Sequence, residues 1–201
     1  PYGEFTLEML AWLAKHDILA FGQQSGPIGP LSHPQALSRF PAAGIYADIE
    51  TLKTKILSLA LPVSPESLQQ PLISTANNPP QLILKLHKAD YDPQRLHCFA
   101  SQQGGIESRV QQDENLITLT TQAPLPLSGK RGRYNCTVPS SQPGRFYWYS
   151  QPWQLDWSTG TANKRSPFQS GVTQVLFLYN SVIFPPFDDR SSPCEQNNGC
   201  T

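Results

Sequence analysis

The sequence predicts a two-part chain, an α/β segment followed by a small antiparallel β-sandwich. Three observations lead there. Up to about residue 61, apolar faces at helical spacing alternate with short apolar runs. From 62 to 80, Pro62, Pro65, Pro71, Pro79 and Pro80 break any regular pattern. From 81 onward, apolar and polar residues alternate with the period of a strand, between turn residues.

The first element follows Thr6, which can cap a helix with Leu7, Leu10, Ala11 and Ala14 on one face. Phe5 and Leu10 occupy the positions of a hydrophobic staple. Residues 18–21 read as a short buried strand ending at Gly22, and Gly26-Pro27 and Gly29-Pro30 mark a loop. Residues 45–47 read as another strand. Asp48 then caps a second helix with Ile49, Leu52, Ile56 and Leu59 on one face. A helix cap is a sufficient role for Asp48. Helices alternating with short apolar strands imply α/β organisation over 1–61, and residues 62–80 read as a linker.

Leu82, Leu84 and Leu86 alternate with Ile83, Lys85 and His87, as in a half-buried strand. Residues 96–100, 106–110, 116–121, 133–138 and 145–149 are further strand candidates, with turns at Gly104-Gly105 and around Asp113-Glu114. Strands at this spacing suggest a β-sandwich over 81–155. Residues 156–201 carry no assigned element, although 172–184 could add an edge strand.

Composition excludes several classes of function. The formal net charge of the 201 residues is zero, so nothing favours a nucleic-acid partner. The longest apolar run, 175–179, is far short of the ~20 residues of a membrane helix. No basic start followed by an apolar stretch suggests a signal peptide within these residues. Four cysteines without a C-x-x-C pair suit disulfides better than zinc, and so an oxidising compartment. Four free thiols in a cytosolic protein is the alternative. Cys98 and Cys136, both in apolar strand candidates, are the expected pair, and Cys194 and Cys200 a second, local one. Ser25 and Ser150 lack the surroundings of a hydrolase nucleophile. Phe146 and Trp148 should face one way and Tyr147 and Tyr149 the other. A core strand explains that run, and aromatic faces stacking on sugar rings are the competing reading. Asn135-Cys136-Thr137 spells a glycosylation sequon, of consequence only in a eukaryotic secretory pathway.

Several stretches together are similar to a known family. Pro1-Tyr2-Gly3-Glu4, Phe21-Gly22-Gln23-Gln24-Ser25-Gly26 and Arg39-Phe40-Pro41-Ala42-Ala43-Gly44-Ile45-Tyr46 resemble the last third of the catalytic domain in bacterial polysaccharide deacetylases, the NodB-homology group. Residues 132–137 and 144–153 resemble the β module that follows it in one branch. The resemblance covers about residues 1–153 and implies the carboxy-terminal portion of a distorted (β/α) barrel, followed by that module. Family members use a divalent metal, usually zinc, to activate a water that attacks an acetyl carbonyl on the sugar. The ligand motifs, an Asp-Asp pair and a His-x-x-x-His, are not matched. His16, His33, His87 and His97 lack that spacing, and the Asp188-Asp189 pair lies in the tail. The resemblance therefore places half or more of the barrel, with its metal site, ahead of Pro1. No metal is expected on this chain.

Pro1-Tyr2 matches the end of the family's Arg-x-Pro-Tyr motif. Tyr2 is thus the implied catalytic position, its backbone N–H holding an oxyanion. An aromatic strand end packed under the helix is the alternative. Gln23 and Gln24 stand where a motif Asp would fall and are the implied substrate-binding residues. Leu31-Ser32-His33 spells a Leu-x-His, but within a Pro/Gly loop, so His33 reads as an ordinary loop histidine. The expected function is a share in hydrolysing acetyl groups from a polysaccharide, in the periplasm or outside a bacterium, with the chain inactive alone. The competing expectation is a non-catalytic carbohydrate-binding or structural β protein.

Overall fold

A computed structural model describes residues 3–114 and 116–156; Tyr2, Cys194, Cys200, Asp188-Asp189 and the rest of the tail from 157 lie outside them. Within these residues the chain is mixed α/β, mostly strands in two sheets, with two helices.

Thr6 starts α1 (Leu7–Lys15), its hydroxyl accepting from the Met9 N–H at 3.3 Å. Phe5 and Leu10 are both buried and, with Ala36, form a small cluster joined by Leu13 and Leu68. The buried stripe is narrower than the expected face. Ala11 and Ala14 are exposed, and Leu13, three residues from Leu10, takes their place. The strand expected at 18–21 shrinks to one parallel bridge, Phe21 to Leu37. Pro27, Pro30 and Pro34 lie between the two segments and offer no N–H to extend the ladder. Residues 45–47 do not form a strand either. A 3-10 turn spans Gly44–Tyr46, entered at Gly44 with φ 57°, a conformation open to glycine. Asp48 caps α2 (Ile49–Ile56), accepting from the Thr51 N–H and hydroxyl, both at 3.0 Å. Those bonds hold its carboxyl below the ordinary range, the backbone N–H contributing most.

The strands are β1 (Leu59–Ala60), β2 (Leu72–Ser74), β3 (Gln81–Leu86), β4 (His97–Ala100), β5 (Gly104–Ile106), β6 (Ser108–Gln112), β7 (Ile117–Gln122), β8 (Arg131–Pro139) and β9 (Phe146–Asp156). In the larger sheet β8 lies between β9 and β4, all antiparallel, with β5 beyond β4. Two short strands run parallel to β9 on its other edge. β1 pairs with Tyr147 and Trp148, and β2 with residues 154–156. The smaller sheet has the antiparallel order β3-β7-β6.

The strand expected at 106–110 is two strands in different sheets, separated by Glu107, whose carbonyl accepts from the Thr121 hydroxyl at 2.7 Å. Gly104 and Gly105 belong to β5, and the turn falls just before them, where Gln102 has φ 65°. The Pro-rich stretch 62–80 is part of the packing. Val63 and Ile73 are core residues, and β2 lies within it. Ser64 and Ser67 bind the backbone of Lys85, at 2.8 and 2.9 Å, and so occupy the outer edge of β3.

The inner faces of the two sheets share one core. Leu82, Leu84 and Leu86 of β3 and Ile117 and Leu119 of β7 meet Cys98 of β4 and Tyr134, Cys136 and Val138 of β8. Cys98 and Cys136 are direct cross-strand partners and form a disulfide. The Tyr134 side chain is fully buried. Its hydroxyl donates to the Pro80 carbonyl at 2.9 Å and accepts from the Ala123 N–H at 3.0 Å. Pro80 precedes β3 and Ala123 follows β7, so one side chain of the larger sheet ties down the end of the smaller at which Gln81 pairs with Gln122. Burial raises the Tyr134 pKa, which keeps the hydroxyl protonated and able to donate.

Tyr134→Phe should destabilise the fold by about 1–3 kcal/mol, because it leaves a buried N–H and a buried carbonyl without partners. Urea unfolding measures this, and a change within about 0.5 kcal/mol, the scatter of ordinary surface substitutions, would show that both groups find other partners. Replacing Cys98 and Cys136 together by Ala should cost about 2–4 kcal/mol, since the bridge closes a loop over a sequence separation of 38. Equal unfolding midpoints for the two proteins would remove the disulfide from the account of stability.

Candidate functional site

The stretch from Gln23 to Gly26 is held in place by its backbone. Gly22 N–H donates to the Leu37 carbonyl at 2.9 Å, Arg39 N–H to the Gln24 carbonyl at 3.1 Å, and Arg39 Nε to the Gly22 carbonyl at 3.2 Å. Two sequence-adjacent glutamines are thereby given different roles. Gln23 is exposed and makes no side-chain hydrogen bond among the described residues. Gln24 is 7% exposed, and its Nε2 donates to the Ala36 carbonyl at 2.8 Å. Its Oε1 has no hydrogen-bond partner among the described residues. That oxygen lies over Gly22, so closely that a Cβ there would come within 2.0 Å of it.

Gln24 separates two cavities and lines both. The larger, about 310 Å³, opens along the free edge of β9 between its two parallel partners. Pro152, with no N–H for a ladder, lies on this unpaired stretch. The walls are largely apolar, built of prolines and aliphatic residues, with Ser25, His33, Ser64, Trp148 and Ser150 among the polar or aromatic members. Several of these polar groups are committed to neighbours. Trp148 Nε1 donates to the Ser150 hydroxyl at 2.8 Å, which donates to Asn135 Oδ1 at 2.6 Å. The asparagine of the sequon therefore sits within the sheet, engaged by Ser150. His33 Nδ1 accepts from the Gln35 N–H at 3.3 Å, which leaves the ring proton on Nε2, and burial lowers the His33 pKa. A neutral imidazole donor at the wall results.

The aromatic run alternates. Tyr147 and Tyr149 pair with Val138 and Cys136 and join the core, whereas Phe146 and Trp148 turn outward. Trp148 packs edge-on against Phe40, with ring centroids 5.4 Å apart, and beside Phe146 at 6.0 Å. Tyr149 donates to Gln151 Oε1 at 2.9 Å, and burial raises its pKa. Tyr147 donates to Asp90, which also accepts from Ser140 and Ser141, both at 2.8 Å. These three hydroxyls, Tyr147 first, hold the Asp90 pKa down to about 2. That cluster is an anchor between the loop after β3 and the β8–β9 turn.

One nucleophile and base are in contact. The Ser64 hydroxyl lies 2.9 Å from His87 Nε2, and Ser64 lines the larger cavity. Sequence reasoning missed this pair, since 23 residues separate them without a motif. Among the described residues no carboxylate is bonded to His87, so a Ser-His-carboxylate relay is incomplete there. Among those residues no three His, Cys, Asp or Glu side chains converge to hold a metal. Of the sequence-derived site residues, Gln23 and Gln24 stand together at the smaller cavity, Gln24 alone reaches the larger, and Tyr2 lies outside the described residues.

No protein-family model and no curated protein matches this chain.

The crowding at Gly22 can be tested directly. Gly22→Ala should expel the Gln24 side chain and lower stability by about 1–3 kcal/mol, the usual range for overpacking in a fitted site. Combining it with Gln24→Ala should recover much of that loss, because the clash is with the Gln24 amide. Double-mutant unfolding measurements decide this, and simple additivity would place the strain elsewhere.

Proposed function

We propose that this chain is the carboxy-terminal portion of a metal-dependent polysaccharide deacetylase that acts in the periplasm or outside a bacterial cell. In this reading residues 1–61 complete a (β/α) barrel, and the two sheets behind them are its β-sandwich module. The observation that carries it is the uneven burial of apolar side chains. Of the 14 exposed large hydrophobics among the described residues, all but Ile83, Phe99 and Leu125 lie between Leu7 and Leu57, which leaves 11 there. Among the described residues, the buried apolar side chains ahead of Leu61 are only Phe5, Leu10 and Ala36. The exposed surface of Trp12, Leu19, Phe21, Ile49 and Ile56 is, in this reading, the one that the rest of the barrel covers.

Other features agree with it. The stretches that resemble deacetylases are scattered over the sequence yet gather around Gln24. Gly3 and Glu4 border one cavity with Gln23 and Arg133, and Ser25, Trp148 and Ser150 border the other. A buried disulfide suits an oxidising compartment. The described residues supply groove wall and hydrogen-bond donors, while the metal that activates water belongs, in this reading, to the preceding half. A non-catalytic carbohydrate-binding protein is the second reading. The half-buried cluster of Phe40, Phe146 and Trp148 beside the cavity favours it.

The test is acetate release from an acetylated β-linked glucosamine oligomer, with zinc or cobalt added. The chain alone should be silent, and the protein with its upstream segment restored should be active. Metal-dependent turnover by the chain alone would overturn the reading. A restored protein that binds metal but releases no acetate would favour the carbohydrate-binding alternative.

A further inference from the structure

The backbone of successive strand residues faces alternate edges. Leu61 N–H donates to the Trp148 carbonyl at 3.1 Å and Gln154 N–H to the Pro71 carbonyl at 2.8 Å. Trp148, Ser150, Pro152 and Gln154 therefore direct their backbone groups to the edge of β9 that borders the larger cavity. Between the two ends the ladder stops for local reasons. To continue from β1, the Leu61 carbonyl would accept from Ser150 N–H, and Val63 N–H would donate to the Ser150 carbonyl. Instead Val63 N–H donates to the Leu61 carbonyl at 2.7 Å, closing a three-residue turn about Pro62. On the β2 side, Pro71 has no N–H for the Pro152 carbonyl, which accepts from Gln151 Nε2 at 3.3 Å. Among the described residues, the Ser150 N–H and carbonyl are left without a hydrogen-bond partner. Ser150 is 6% exposed and lines the cavity, and its hydroxyl is held by Trp148 and Asn135. Buried backbone groups are almost always paired, so this N–H and carbonyl call for an occupant of the cavity.

We propose that the larger cavity binds an extended segment of a partner protein, which adds to β9 as a short strand between β1 and β2. A donor and an acceptor on one residue, facing one edge, are matched by a residue of another extended chain, which presents the same two groups. A single planar amide points its N–H and carbonyl in opposite directions and can meet only one of them. The lining holds no aspartate, glutamate, lysine or arginine, and its prolines and aliphatic side chains suit small uncharged side chains better than a hydroxyl-rich sugar. From Trp148 to Gln154 the edge runs about 20 Å, which leaves a gap for about three residues between the strands that already occupy its ends. The loops carrying Gln24 and His33 stand over the gap, so the edge admits a short segment rather than a sheet. This site does not rest on the deacetylase reading.

The experiment is an NMR titration of the isotope-labelled 201-residue chain with N-acetyl-trialanine amide, its three singly N-methylated analogues, and an acetylated β-linked glucosamine dimer. The parent peptide should shift the Ser150 amide along a saturating curve at millimolar concentration and slow its hydrogen exchange. N-methylation should weaken binding roughly tenfold where the peptide N–H faces β9, the loss of about one hydrogen bond, and by less than about twofold at the adjacent residue. That alternation is the signature of strand pairing. The glucosamine dimer should leave the Ser150 amide unmoved. Because the changes are made on the peptide, the fold of the protein is not in question. The absence of a saturable shift, equal effects of N-methylation at all three positions, or a Ser150 shift with the glucosamine dimer as large as with the peptide would each overturn the proposal. So would a Ser150 shift that grows with protein concentration in the absence of peptide, which would put a second copy of the chain in the gap.

Discussion

Everything in the β part is organised by what β8 carries on its inner face. Tyr134 sends a hydroxyl across the core to Pro80 and Ala123, and two residues on, Cys136 is bonded to Cys98. One contact is polar and joins the two sheets; the other is covalent and joins neighbouring strands of one sheet. Between them they set the register of β4 on β8 and the position of β3 and β7 above it. The apolar residues around them, Leu82, Leu84, Leu119 and Val138, supply the larger free energy through area removed from water. That term is non-directional. The hydroxyl and the disulfide determine which of many compact arrangements the apolar residues adopt.

The cavities follow from how β9 is paired on its other edge. Nine residues of β9 are matched to β8, but the parallel partners β1 and β2 cover only its two ends. The chain between those partners, residues 61–71, must leave the sheet plane and return. It does so through prolines and a 3-10 turn at Pro65–Ser67. An unpaired strand edge ordinarily invites association. Here Pro152 removes a donor from it, and the loops carrying Gln24 and His33 stand over it. A pocket at this place is the geometric consequence of two short strands sharing one long edge.

The amino-terminal segment obeys a different balance. Its helices are well capped, by Thr6 and Asp48, so local hydrogen bonding is satisfied. Its burial is poor, for α2 has no buried residue at all. Short capped helices draw most of their stability in proteins from an apolar face packed against something. The backbone rules and the packing rules thus disagree over residues 7–57. The disagreement is resolved if further protein covers Ile49, Ile56 and Trp12.

Features set by near neighbours were legible in the sequence. The caps at Thr6 and Asp48, the staple of Phe5 and Leu10, and the alternation of Leu82, Leu84 and Leu86 depend on residues within a turn or a strand of one another. The pairing of Cys98 with Cys136 was readable because both lie in apolar strands. The division of 104–112 between two sheets at Glu107 was not legible, since each half reads as the same strand. Nor was the turn at Gly44–Tyr46, because three apolar residues fit strand and turn alike. Gln23 and Gln24 could be placed together by sequence, but not told apart. One is exposed and the other buried with an orphaned oxygen because Ala36, Arg39 and Gly22 close around them from elsewhere in the chain. The same holds for Ser64 with His87 and for Arg131 with Glu4. Contacts between distant residues depend on how sheets stack and where an edge stays open, and those are properties of the whole packed chain, which no local window contains.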